Sequence, residues 1–102
     1  MAQRRLSRRL RRLPVTSALG REFPVASDFR SRLLGLAFLD RDRAGAGLLL
    51  PRCASVHTFG MRFALDLIFL DGSGRPLSSR SSVPPNRLAA DRRAAAVLEV
   101  PV

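Results

Sequence analysis

The sequence predicts a mainly β domain of the α+β kind, a small antiparallel sandwich or sheet with one or two short helices. Three observations carry that expectation. Residues 53 to 59 and 63 to 70 alternate with a period of two, the spacing that sends successive side chains to opposite faces of a strand. Asp71, Gly72, Ser73 and Gly74 form a strong reversal signal, because Asp and Gly tolerate the positive φ of tight turns. The remaining apolar runs are short and broken by Pro or Gly, as in a protein built from strands.

At 102 residues the chain is long enough for one core and too short for two. A hydrophobic fraction of 46% with seven Gly and seven Pro marks a globular composition. With no Trp and no Tyr, the core is aliphatic, and six Phe are the only aromatic side chains.

The first thirteen residues read as a basic arm, expected to be disordered, ahead of a single domain over residues 14–102. The chain has 18 basic residues, all Arg, and 8 acidic ones, for a net charge of +10. Arg4, Arg5, Arg8, Arg9, Arg11 and Arg12 supply six of those charges. A helix there would put Leu6, Leu10 and Leu13 on one face, as in a basic amphipathic helix. Charge runs are more often solvated tails than binding elements, so weak contact with an anionic surface is the most the arm implies.

After the arm, Val15 to Leu19 and Glu22 to Ala26 read as two short strands around Gly20, with Pro14 and Pro24 confining them to edges or strand starts. Ser27 or Asp28 can cap a helix whose apolar positions are Phe29, Leu33, Leu34 and Leu36, with Arg30 and Arg32 turned outward. Residues 40 to 43 form a charged loop, followed by a short strand from Leu48 to Leu50. Alternation then places Cys53, Ser55, His57 and Phe59 on one side of an extended segment and Ala54, Val56 and Thr58 on the other.

Gly60 is expected to bend the chain before a strand in which Phe63, Leu65, Leu67 and Phe69 alternate with Ala64, Asp66, Ile68 and Leu70. Both its faces are largely apolar, so it is expected to be central. A return strand is expected near Arg75 to Arg80, a Ser/Pro-rich loop over Ser78 to Asn86, a short helix over Ala89 to Ala95, and a last strand from Ala96 to Val100.

Several functions find no support in the residues. The segment after the arm is broken by Pro14, Gly20, Arg21 and Glu22, which does not suit a secretory signal. No apolar run approaches the roughly 18 residues needed to span a bilayer. A soluble cytoplasmic protein is therefore expected, and the lone Cys53 excludes an internal disulfide. Ala44 to Gly47 lacks the Lys and the strand-to-helix setting of a phosphate loop, and the dispersed Arg residues without interleaved aromatics do not make a dedicated nucleic-acid site.

The candidate site lies between Pro51 and Gly74, which gathers the only Cys, the only His and a carboxylate inside an apolar strand. Cys53, His57 and Asp66 are a conceivable nucleophilic or metal-ligating set, although a structural zinc site needs four ligands and a catalytic one normally three. Cys53 as a small apolar filler and His57 as a hydrogen-bonded structural residue is the commoner situation. No cofactor and no metal is expected.

Arg32, Leu33, Gly35 and Leu36, followed by His57, Thr58, Met61, Asp66, Phe69, Asp71 and Gly74 and then by Val97, Leu98 and Glu99, resemble a bacterial and archaeal family called domain of unknown function 192. The resemblance covers roughly Leu13 to Val102. It implies a compact, mainly β domain with a short helix, and it assigns no reaction. Members usually continue to a further strand, so the family's C-terminal segment is expected to be missing here.

The function expected from all of this is a binding module in which His57, Asp66 and Arg62 line a polar cleft and Phe59 and Met61 wall it, with Cys53 nearby. Its ligand would be a small polar or sugar-like molecule or a partner protein. A hydrolase or metal-assisted enzyme using Cys53, His57 and Asp66 is the first alternative, and an electrostatic adaptor working through the Arg-rich arm the second. Asp66 is expected either to accept hydrogen bonds from backbone N–H groups, His57 or an Arg, anchoring the loop from His57 to Met61, or to serve the site.

Overall fold

In the computed structural model, which describes residues 6–102, a four-stranded antiparallel sheet carries most of the largest fully buried side chains. The chain runs through helix α1 (Arg8–Arg11), strands β1 (Val15–Ala18) and β2 (Arg21–Pro24), and helix α2 (Phe29–Leu34). Strands β3 (Leu48–Pro51), β4 (Ser55–His57), β5 (Leu65–Leu70), β6 (Pro76–Val83), β7 (Leu88–Ala90) and β8 (Ala96–Pro101) follow. The main sheet has the order β3-β8-β5-β6, while β1 pairs with β2 and β4 with β7 in two small ribbons. The architecture is mainly β with two short helices, as the sequence predicts.

The two faces of the main sheet are covered differently. Leu65, Leu67 and Phe69 of β5 lie on one face with Leu48, Leu50 and Val97 in the larger core cluster, to which Leu36, Ala37, Val56 and Met61 also belong. Leu70 and Leu98 turn to the other face, where Phe23 of the β1–β2 hairpin covers them. This alternation follows from the pleat, and it makes β5 and β8 the central strands with partners on both sides.

Four local expectations give way to the tertiary fold. Ser78 to Val83 is strand and not loop: it pairs with β5 as an edge strand, where exposed Ser and Arg side chains cost nothing, and Pro84 and Pro85 follow it. Residues 89 to 95 do not form a helix. Leu88–Ala90 pairs with β4, and the turn beyond is organised by Asp91, which accepts the Ser78 hydroxyl at 2.7 Å and the Arg93 guanidinium at 2.8 Å.

Helix α2, capped by Asp28 through the Ser31 N–H at 2.8 Å, buries none of its residues; Phe29 and Leu33, expected on its inner face, are 72% and 53% exposed. Leu36, expected on the same stripe, lies beyond the helix and is fully buried.

The fourth difference concerns the arm, whose residues 1–5 lie outside the described part. Residues 6–13 are folded against the body: Ser7 caps α1, Leu10 is only 2% exposed, and Leu6 and Leu13 pack on the larger core. The Arg9 guanidinium donates to the carbonyls of Gly35 at 3.0 Å and Ala37 at 2.7 Å, which ties the arm to the chain just past α2. Three leucines spaced for one helical face therefore serve as core contacts.

Candidate functional site

A cleft of about 700 Å3 opens between α2, the segment after β3, and the β4–β7 ribbon. Its walls are mostly apolar: Phe29, Leu33, Val56, Met61, Leu88 and Ala89. Phe29, Leu33 and the 75% exposed Leu88 leave a hydrophobic surface at the mouth. Arg32 and Arg52 also line it, and among the described residues neither forms an ion pair with a carboxylate.

The cleft's one acid is Glu99 of β8. Its backbone sits in the middle of the sheet, registered between Leu48 of β3 and Leu67 of β5, and the residue is 1% exposed. Oε1 has no hydrogen-bond partner. Burial pushes the carboxyl pKa up to about 8, against the opposing pull of the Leu36 backbone N–H. A carboxyl so placed is largely protonated at neutral pH, because desolvation disfavours the charged form. Gly35 makes room for it: a Cβ on Gly35, at φ +52°, would lie 2.8 Å from Oε1.

Residues expected at the site divide between cleft and elsewhere. Cys53, His57 and Met61 line the cleft. The His57 Nδ1 accepts the Phe59 N–H at 3.2 Å, which leaves Nε2 to carry the proton toward the Leu33 carbonyl at 3.1 Å. His57 thus satisfies a carbonyl at the C-terminal end of α2, which the helix itself leaves without a partner. Both ring nitrogens are engaged, and Phe59 stacks on the ring at 5.2 Å. The Cys53 thiol donates to the Ser55 carbonyl at 3.0 Å.

Arg62, Asp66 and Phe59 lie outside the lining. Arg62 pairs with Asp40 at 2.8 Å, with both side chains exposed, a contact worth at most about 1 kcal/mol. The Asp66 carboxylate accepts the Ser82 N–H at 2.8 Å, where the β5–β6 register shifts, so the loop it anchors is on β6 and not at His57 to Met61. Asp66→Asn is therefore expected to lower stability by about 1 kcal/mol, a drop of roughly 4–8 °C in Tm, while leaving the cleft unchanged. A thermal melt with no shift would mean that the amide oxygen of the variant holds the Ser82 N–H as well as the carboxylate does.

The loop from His57 to Met61 is held instead by Thr58. Its hydroxyl donates to the Pro84 carbonyl at 2.7 Å and accepts the Arg87 N–H at 2.8 Å, while its own N–H donates to the Arg87 carbonyl at 2.8 Å. These bonds fix the β4–β7 ribbon as one wall of the cleft. Among the described residues no group of three or more His, Cys, Asp and Glu side chains is placed to hold a metal ion.

Glu99 is the residue that sequence reasoning missed. The signal was present: an acid between Leu98 and Val100 in an apolar strand, the same pattern that drew attention to Asp66.

The fold and cleft together define a small mainly β module with one buried acid beneath an apolar-walled opening. Residues 15–102 match the family model of DUF192, described as uncharacterized ACR, and the chain belongs to that family. A search of the curated proteins gave no match.

Two solved structures resemble this one at 22% identity. A protein of unknown function from Novosphingobium aromaticivorans aligns with a TM-score of 0.64, over 85% of this chain and 69% of its own. A putative transcription regulator from Sinorhizobium meliloti gives 0.65, over 86% of this chain and 77% of its own. At that identity the likeness speaks for the fold. Among the described residues no helix is long and apolar enough to cross a membrane.

Proposed function

We propose that this protein is a binding module for a small hydroxylated molecule, which enters the cleft with its apolar part against Phe29, Val56, Met61 and Leu88 and sets a hydroxyl on Glu99. One observation carries the reading: Glu99 lines the cleft, and its buried Oε1 has no partner. A buried polar group lacking a hydrogen bond costs roughly 1–3 kcal/mol, and a ligand hydroxyl that supplies the bond recovers that cost on binding. A hydroxyl suits either protonation state, since it donates to a carboxylate and accepts from a carboxylic acid. Apolar walls with one convergent polar group are the usual make-up of a small-molecule site.

An enzyme built on Cys53, His57 and Asp66 has less to recommend it. The Cys53 thiol is directed to a backbone carbonyl, the one acceptor nitrogen of His57 is occupied, and Asp66 is engaged on β6. A cytoplasmic setting suits the module, since a lone thiol such as Cys53 stays reduced there.

The test uses 4-propylphenol as probe, followed by amide NMR shifts. Perturbations at Gly35, Val56, Met61 and Glu99, and an affinity at least ten-fold weaker in Glu99→Leu, are the expected result. Shifts confined to other surfaces, or equal binding by the variant, would refute the assignment.

A further inference from the structure

We infer that the cleft takes an elongated organic anion, with its charged end at Arg32 and Arg52 in the mouth and its hydroxyl end on Glu99. This deepens the binding reading above and rests on it. The argument is one of charge placement along the cleft.

Arg32 comes from the last turn of α2, and Arg52 from the residue after β3, so the two arginines reach the cleft from different elements. Arg52 is steadied by one bond, from its NH2 to the Ser27 carbonyl at 2.8 Å. That leaves further N–H groups of its fork, since a guanidinium carries five donors. The other titratable groups lining the cleft are Cys53, His57 and Glu99. Cys53 and His57 are committed to carbonyls, and Glu99 is the sole acid, with its charge suppressed by burial.

Arg32 and Arg52 therefore put two cations beside the exposed apolar residues of the mouth, and Glu99 offers a neutral hydrogen-bonding group at the floor. A ligand cation would meet two uncompensated arginines on entry, whereas an anion gains from both, and guanidinium groups match carboxylate and phosphate oxygens in a bidentate geometry. The net charge of +10 adds a long-range field of the same sign, which speeds the arrival of anions and is screened by salt. Carboxylate and phosphate ester ends share this chemistry.

Three probes with one body separate the ends. 3-(4-Hydroxyphenyl)propionate carries both the hydroxyl and the anion, 4-propylphenol lacks the anion, and tyramine places an ammonium where the anion would be. At low salt we expect the propionate to bind at least ten-fold more tightly than 4-propylphenol by titration calorimetry or NMR, and tyramine to bind most weakly. The advantage of the propionate should disappear in Arg32→Gln/Arg52→Gln, with 4-propylphenol unaffected.

Replacing the propionate by 4-hydroxybenzyl phosphate tests the second kind of anionic end, and its preference should fall in the same double variant. Equal binding of the propionate and the propylphenol, tighter binding of tyramine, or an advantage that survives the double variant would each overturn the anion assignment while leaving the Glu99 reading standing. No binding of any probe would overturn both.

Discussion

Raising the pH from about 5 to 8 is expected to destabilise this protein, and Glu99→Gln to remove most of that loss. The Glu99 pKa is about 8 in the folded state against an ordinary value of 4.5. Between those values the folded state holds a proton that the unfolded chain has released. Stability is therefore full below about 4.5, declines as pH rises, and levels off above 8. The effect is on the order of a few kcal/mol, or roughly 10–25 °C in Tm for a domain of this size.

Acid works in the opposite direction through three carboxylates. Asp91 is held below its ordinary value by the Arg93 side chain and the Ser78 hydroxyl, Asp71 by the Arg75 N–H and Ser73, and Asp28 by Ser31. Their contribution is present above about 3.8 and lost as pH falls through their lowered values, so maximum stability is expected near pH 5.

In Glu99→Gln the amide oxygen can keep the Leu36 N–H, and the amide nitrogen takes the place of Oε1. The variant is expected to match the native protein at pH 5 and to exceed it at pH 8. Thermal melts across that range are the measurement. A flat native profile between pH 5 and 8 would show that Glu99 is solvated through the cleft, and with it the buried-acid account would fall.

Gly47→Ala is expected to cost on the order of 3 kcal/mol or more. Gly47 has φ +148°, and a Cβ there would lie 2.5 Å from the Glu99 carbonyl oxygen and 3.1 Å from the Phe23 ring. The carbonyl belongs to a central strand hydrogen-bonded on both sides, so it cannot yield as a flexible side chain would. Strain at the backbone angle adds to the overlap. The position matters to the site as well, because moving β8 away from β3 moves Glu99. Urea denaturation is the check, with Gly72→Ala as the control, since nothing lies within 4 Å of a Cβ at Gly72. A loss below about 1 kcal/mol at Gly47 would mean that β3 and β8 slide apart easily.

Much of the framework was legible because it depends on local chemistry. The alternation in 63–70 gave β5 its two buried faces, Asp28 its cap, the Asp71–Gly74 turn its reversal, and the segment around His57 its alternating sides. Each of these follows from residues within a few positions of one another, and each is found in the structure.

Elements decided by distant partners were not legible. The Ser-rich stretch of β6 and the Ala-containing stretch at β7 have weak strand preferences of their own. They became strands because β5 and β4 offered unpaired edges, and backbone pairing outweighs propensity there. Phe29 and Leu33 looked like a core stripe and instead face the cleft, since α2 is too short and too far out to bury them.

Glu99 marks the boundary most clearly. Its sequence neighbours made it an acid in an apolar strand, and that much the sequence by itself determined. Whether such an acid meets water depends on what covers the strand. Here the cover is Gly35 and Leu36, some sixty residues earlier, held down by Arg9 from α1. Burial is a property of three-dimensional packing, so only the tertiary structure could turn an unremarkable strand residue into a neutral acid at the floor of a cleft.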